Sequence, residues 1–167
     1  MSALLTGRVH RFGDEVNTDV ILPGRYLALR KPEELGKHCL EGLDPGFVQR
    51  VRPGDILAVG RNFGCGSSRE HAVIALKAAG VGAIVAVSAA RIFFRNAVNL
   101  GLPVLLCAEA AAGLREGEAA SIDLDALSVT QGEAAWQAAP LGAEVRAILA
   151  AGGLVPRVRQ ALAEAAA

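Results

Sequence analysis

The stretch from Pro53 to Val87 constrains the fold more than any other part of the chain. A Pro53-Gly54-Asp55 turn precedes Ile56-Leu57-Ala58-Val59, a continuous apolar run of strand length. A glycine-rich loop follows, Gly60-Arg-Asn-Phe-Gly-Cys-Gly-Ser-Ser68. From Arg69 to Ala79 the apolar residues Ala72, Val73, Leu76 and Ala79 recur at helical spacing, and Gly80 closes the pattern. Val81 to Val87 is a second apolar run. Strands that are apolar at every position are buried on both faces, which is the mark of a parallel pair joined by a right-handed helical crossover. This unit predicts an α/β fold with a partly parallel sheet.

The flanking segments extend the pattern. Leu5 to Phe12 reads as a first strand, and Gly13 to Gly24 as a loop rich in turn formers. Pro32, Glu33 and Glu34 suit the first turn of a helix, which Gly42 would close. Asp44-Pro45-Gly46 opens a short helical turn with Phe47, Val48 and Val51 facing inward. Arg91 to Leu100 predicts a helix ended by Gly101, and Leu102 to Leu106 a third strand. Weaker alternation over 120–124, 128–131 and 134–137 predicts an antiparallel meander. Leu141–Ala150 and Pro156–Ala165 read as helices, the second as a mobile tail of alanines and charges. No repeat or linker divides the chain, so 1–167 is expected to be one domain with a C-terminal helical tail from about 141.

The 167 residues are enough for one core, and a hydrophobic share of 52% against 20% charged excludes a disordered chain. Seventeen Lys and Arg balance seventeen Asp and Glu, so the basic excess of a general nucleic-acid or anionic-membrane binder is missing. The longest apolar stretch, Val81–Ala90, contains Gly82 and Ser88 and falls short of the ~20 residues of a membrane span. The N-terminus has no charged region ahead of its short apolar stretch, so no secretory signal is expected. Cys39, Cys65 and Cys107 form no CxxC pair and have no zinc spacing with histidine, so no metal site is expected. They read as three thiols in a reducing cytoplasm.

The loop Gly64-Cys-Gly66-Ser67-Ser68-Arg69-Glu70-His71 lies where a buried strand gives way to a helix. It is not a P-loop, because no lysine precedes Ser67. It is not a dinucleotide fingerprint, because Arg69 stands at the third glycine, and it lacks the G-x-S-x-G of a nucleophile elbow. What remains is two glycines that permit close backbone approach, a helix N-terminus, two hydroxyls and a guanidinium able to grip a carboxylate through two parallel hydrogen bonds. The implied ligand is a small carboxylate or phosphate. The competing structural account makes Ser67 or Ser68 an N-cap, Arg69 a surface residue and Glu70 a partner of the helix dipole.

These residues resemble the signature of the small, swivelling β/β/α domain of the aconitase superfamily. The likeness extends in order to Asp14–Pro23, to Tyr26-Leu27 and to Ala90–Pro103, and the chain length matches the free-standing small subunits of that superfamily. The resemblance implies a hydro-lyase that dehydrates a hydroxy-diacid and rehydrates it with the hydroxyl moved. It places the [4Fe-4S] cluster on a separate large subunit, in a heterodimer or heterotetramer. This chain would then hold no cofactor and be inactive alone. By the same resemblance Ser67 is the base, Ser68 and Arg69 hold a substrate carboxylate, and Asp19 lines the site. A hydroxyl acts as a base at neutral pH only where its alkoxide is stabilised, and a helix N-terminus beside Arg69 is such a place. Asp19 has an alternative reading as an Asx-type turn residue. His71 is read as a packing residue, His10 and His38 have no evident partner, Arg91 and Arg95 read as a solvated or subunit-facing pair, and Trp136 as core or rim.

The segment Gly24–Arg30 resembles the loop that meets the variable group of the substrate. Tyr26, Leu27, Ala28 and Leu29 offer apolar contact, with Ala28 where a tricarboxylate-specific loop would place an arginine. An unpaired carboxylate there is costly, whereas a buried methylene-sized group gains about 0.8 kcal/mol. The implied substrate is a small branched hydroxy-diacid, with 2-isopropylmalate and 3-isopropylmalate of leucine biosynthesis ahead of homoaconitate or a dimethylmalate- or citramalate-type acid. A non-catalytic anion-binding domain is a further alternative. RNA binding is disfavoured by zero net charge and by a single Tyr and a single Trp.

Overall fold

In the computed structural model residues 3–167 are described. One sheet of seven strands runs through the molecule in the order β4-β3-β2-β1-β5-β6-β7. Strands β1 (Leu4–Arg11), β2 (Asp55–Val59), β3 (Val81–Ala86) and β4 (Val104–Leu106) are parallel neighbours. On the other edge of β1 the sheet turns antiparallel through β5 (Ala119–Asp123), β6 (Ser128–Gln131) and β7 (Ala134–Gln137). Both the parallel half and the meander correspond to the sequence patterns.

Alternation along the central strands divides the core. Leu57, Val59, Ile84 and Ala86 face one cluster, where Ile21, Leu35, Phe47, Leu76 and Phe93 come from the helices. Those helices are α1 (Thr18–Ile21), α2 (Pro32–Gly36), α3 (Phe47–Arg50), α4 (Glu70–Ala79) and α5 (Arg91–Asn99). Ile56, Ala58, Ala83 and Val85 face the other cluster, with Ile122 and Val129 of the meander and Ala110 and Ala111 of α6 (Ala108–Gly113). Burial on both faces explains why these strands carry no polar alternation.

Several boundaries differ from the sequence expectations. The expected loop 13–24 contains α1, capped by the Asn17 side chain on Val20 N–H, and a 3-10 turn over Gly24–Tyr26. Helix α2 stops at Gly36 rather than Gly42. Gly36 lies so close to α4 that a Cβ there would meet Ala78 at 2.9 Å, and Leu40 turns away to donate its N–H to the Ile21 carbonyl at 2.7 Å. Helix α6 arises from a run of alanines without a distinct apolar stripe. The C-terminal helices are α7 (Ala143–Ala151) and α8 (Leu154–Ala165), separated by Gly152 and Gly153, and α8 begins two residues before Pro156 because proline is tolerated in a first turn. The α8 helix buries no residue and is joined to α7 by an ion pair between Arg157 and Glu144.

Candidate active site

Parallel strands bring their carboxyl ends to one edge, and ligands of α/β sheets bind at that edge. Here the exits of β1, β2 and β3 converge. Gly60 N–H donates to the Gly13 carbonyl at 3.1 Å, and Gly64 N–H to Val16 at 2.8 Å. Phe63 and Ala90 hold the β2 and β3 exits together, Phe63 donating to Ser88 and Ala90 to Phe63. Thr18 clamps the loop twice: its N–H donates to the Cys65 carbonyl at 2.9 Å and its hydroxyl to the Ser67 carbonyl at 2.9 Å. Gly64 and Gly66 both take positive φ, +78° and +91°. At Gly64 a Cβ would fall 2.1 Å from Phe93 Cγ, so the loop passes directly over that ring.

Ser67 and Ser68 emerge from this clamp exposed, and among the described residues no protein group hydrogen-bonds either hydroxyl. The N-cap of α4 is Arg69, with extended backbone and no side-chain cap, so neither serine serves as the cap. The first-turn N–H groups therefore carry their partial positive charge without a protein side chain on them. The Arg69 side chain, 19% exposed, turns back over α1, where Nη1 pairs with the Asp19 carboxylate and reaches the Leu22 carbonyl at 3.4 Å. Asn17 performs the Asx cap, which leaves Asp19 free to face the guanidinium.

Thr18, Gly64, Gly66, Ser67, Ser68 and Arg69 form one wall of a cleft of about 170 Å³, and Ala90–Phe93 with Asn96 of α5 form the other. That is below the ~300 Å³ at which pockets enclose small ligands, and Ile92 stands 52% exposed at its rim. The cleft is small and open on the side away from these two walls. Cys65 within the loop is not an activated thiol: burial, and then the Glu15 carboxylate, push its pKa up.

The other expected residues are distributed around this cleft. Leu27, Ala28 and Leu29 line a neighbouring depression with Arg30, Leu35, His71 and Ile74, so His71 faces that depression and not the serines. Tyr26 turns away from both, donating its hydroxyl to Glu41 at 2.8 Å. Two histidines without an evident partner in the sequence have close ones. His10 Nε2 meets the buried Asp55 carboxylate at 2.7 Å, and His38 Nδ1 meets Glu41 at 2.7 Å. Arg91 lines the cleft while Arg95 does not, and Trp136 packs partly buried over Gly113. Thr18, Arg91 and Asn96 are site residues that the sequence reading misses. Thr18 lies inside the matched Asp14–Pro23 block and Arg91 and Asn96 inside the matched Ala90–Pro103 block, the available signal, and α5 brings the latter two to the cleft by packing beside the loop.

A seven-stranded mixed sheet with this loop at its carboxyl edge defines a domain of the aconitase type, and the family model of the Aconitase C-terminal domain matches residues 31–109. The 3-isopropylmalate dehydratase small subunit of Heliobacterium modesticaldum is 51% identical over 95% of this chain and 97% of its own. The small subunit of that name from Moorella thermoacetica is 49% identical over 93% and 95%. The crystal structure of 3-isopropylmalate dehydratase (leuD) from Methanocaldococcus jannaschii superposes with a TM-score of 0.89 at 43% identity, covering 98% of both chains. The chain thus belongs to the family of 3-isopropylmalate dehydratase small subunits.

Proposed function

We propose that this chain is the small subunit of a hydro-lyase that interconverts 2-isopropylmalate and 3-isopropylmalate, working in the cytoplasm as one half of a complex with a large subunit. The observation that carries the reading is the pairing of an exposed, unbonded Ser67 hydroxyl with a guanidinium already fixed beside it by Asp19, in a cleft with one wall open. The relatives' shared name, small subunit, supports a large partner as the missing wall.

The chemistry assigned to this chain is proton transfer and binding. Arg69 and the Ser68 hydroxyl hold one carboxylate of the diacid. The Ser67 oxygen takes the proton from the carbon beside that carboxylate, and the hydroxyl on the adjacent carbon departs as hydroxide with the C–O electron pair. An alkene diacid is left, and water returns at the other carbon. The positive end of α4 and the Arg69 charge lower the energy of the serine alkoxide, which at its ordinary pKa is almost absent at pH 7. Loss of hydroxide calls for a Lewis acid, supplied when bound by a [4Fe-4S] cluster that this reading assigns to the large subunit. This reading puts the cluster's donors in the large subunit; among the described residues no three His, Cys, Asp or Glu side chains converge to hold a metal. Among the described residues no helix is long and apolar enough to cross a membrane.

An apolar substituent is supported by Leu27, Ala28 and Leu29 in the lining of the depression; of the two flanking arginines, Arg25 is engaged by Glu41 and lies over the Tyr26 ring, while Arg30 lines the same depression. The test is Ser67→Ala in the complex reconstituted with its large subunit, assayed anaerobically on 2-isopropylmalate. Loss of a general base predicts a kcat reduced by at least about a hundredfold with substrate binding retained. Turnover within a few-fold of the unaltered complex would overturn the assignment.

A further inference from the structure

The geometry points to Glu41 as a positioning residue that sets the substrate-gripping guanidinium of Arg69 and the Leu27–Leu29 segment without touching the substrate. The inference rests on the proposed role of Arg69 and concerns a cluster outside the cleft. Glu41 lies on the turn after α2 and draws in three side chains. Its Oε1 accepts from the Tyr26 hydroxyl at 2.8 Å and from Arg25 Nη2 at 2.7 Å, and its Oε2 meets His38 Nδ1 at 2.7 Å. The Tyr26 and His38 rings stack at 3.7 Å with an interplanar angle of 10°, and the Arg25 guanidinium lies 4.7 Å from the Tyr26 ring centroid. One carboxylate thus closes a cluster of four side chains from two segments.

The stretch between the anchors is what matters. At one end the Ile21 carbonyl accepts from Leu40 N–H at 2.7 Å, and at the other Arg25 and Tyr26 are held by Glu41. Leu22, Pro23 and Gly24 span the gap, and this span forms the berth of Arg69. The Leu22 carbonyl faces Nη1 at 3.4 Å, and a Cβ at Gly24 would stand 3.6 Å from both Nη1 and Nη2. If Tyr26 is released, the span keeps its anchors at Ile21 and at the buried Leu22, whose N–H donates to the Thr18 carbonyl at 2.9 Å, but loses the one beyond Gly24. The guanidinium then loses one wall of its berth, and Leu27–Leu29, which follow Tyr26 directly, lose their register on α4. Fixed geometry in a binding group lowers the ordering cost of binding, so the effect falls on affinity.

The experiment compares Glu41→Ala and Glu41→Gln in the reconstituted complex, with Ser67→Ala measured in parallel. Alanine removes the hub and is expected to raise KM for 2-isopropylmalate at least tenfold while kcat falls less than threefold. Glutamine keeps an acceptor for Tyr26 and Arg25 and turns its amide N–H₂ toward His38 Nδ1, so KM is expected to stay within about threefold. Tyr26→Phe deletes one hydroxyl and is expected to raise KM by an intermediate factor, and it serves if the alanine variant does not assemble. An alanine or phenylalanine variant that assembles with KM within twofold of the unaltered complex overturns the inference. So does a loss in kcat alone, or a glutamine variant as impaired as alanine. A Ser67→Ala complex that turns over within a few-fold of the unaltered one overturns the proposed function instead, so the two failures are told apart.

Discussion

The Asp19 carboxylate rests on Nη1 of Arg69, joining the first turn of α1 to the residue that caps α4. The pair is lopsided in exposure, 60% for the Asp19 side chain against 19% for Arg69. Asp19 therefore aims the guanidinium more than it neutralises it, and the rest of the fork stays available to a diacid. Arg69→Lys keeps the charge but loses the fork, and KM is expected to rise about tenfold or more, equivalent to about 1.4 kcal/mol of binding. Asp19→Asn keeps the shape without the charge, and a rise of a few-fold is expected. Steady-state kinetics of the complex check both, and equal effects would deny Asp19 a secondary role.

The Gly64 backbone has φ of +78° and no room for a Cβ above Phe93, whereas Gly117 has φ of +77° and nothing within 4 Å. Gly117→Ala is expected to cost about 1 kcal/mol, the backbone strain alone. Gly64→Ala adds a collision with a buried ring and is expected to cost about 3 kcal/mol or more, a fall in Tm on the order of 10 °C for a chain of this size. Thermal unfolding of the two variants measures the difference.

Asp55, 4% exposed, accepts from Arg8 N–H at 3.0 Å, from Arg52 N–H at 2.9 Å and contacts His10 at 2.7 Å. Burial alone would raise its pKa, but the hydrogen bonds from His10, Arg52 and Arg8 together hold it below the ordinary carboxylate value. A folded pKa below the unfolded value of about 3.9 makes the carboxylate stabilising above that value, and the contribution is lost as pH falls through the folded pKa. Asp55→Ala strands two backbone donors and a histidine, and is expected to cost about 3 kcal/mol at pH 7. Urea unfolding from pH 7 to pH 3 should show the variant losing less stability on acidification than the unaltered chain.

Ala28 is exposed in the segment that lines the depression beside α4. Ala28→Arg is expected to raise the kcat/KM ratio of a tricarboxylic substrate, homoaconitate, to isopropylmalate by about tenfold or more, because it adds a second guanidinium beside Arg30 for a third carboxylate. Competition assays with the two acids measure the ratio. An unchanged ratio would remove the segment from substrate selection.

Much of this was readable from residue order. Unbroken apolar runs at Ile56–Val59 and Val81–Val87 admit only strands buried on both sides, and the helix between them follows from period and a closing glycine. The glycine-rich loop was legible for the same reason, since its two glycines and its Ser-Ser-Arg run lie together in the sequence. Boundaries failed where the cause was distant. Gly36 ends α2 because α4 is pressed against it, and no residue near Gly36 carries that information. Glu41 was invisible as a hub because its partners Arg25 and Tyr26 lie on another segment, and His10 looked unpartnered because Asp55 is on the next strand.

Order along the chain thus determined the parallel sheet, the loop at its carboxyl edge and the chemical types gathered there, because those depend on local periodicity and adjacent residues. Tertiary structure alone decided that Ser67 stands free while Arg69 is aimed by Asp19, and that Glu41 holds the far end of the Arg69 berth. Those relations join residues far apart in sequence, and they exist only once the packing of both faces of the sheet has fixed where each loop emerges.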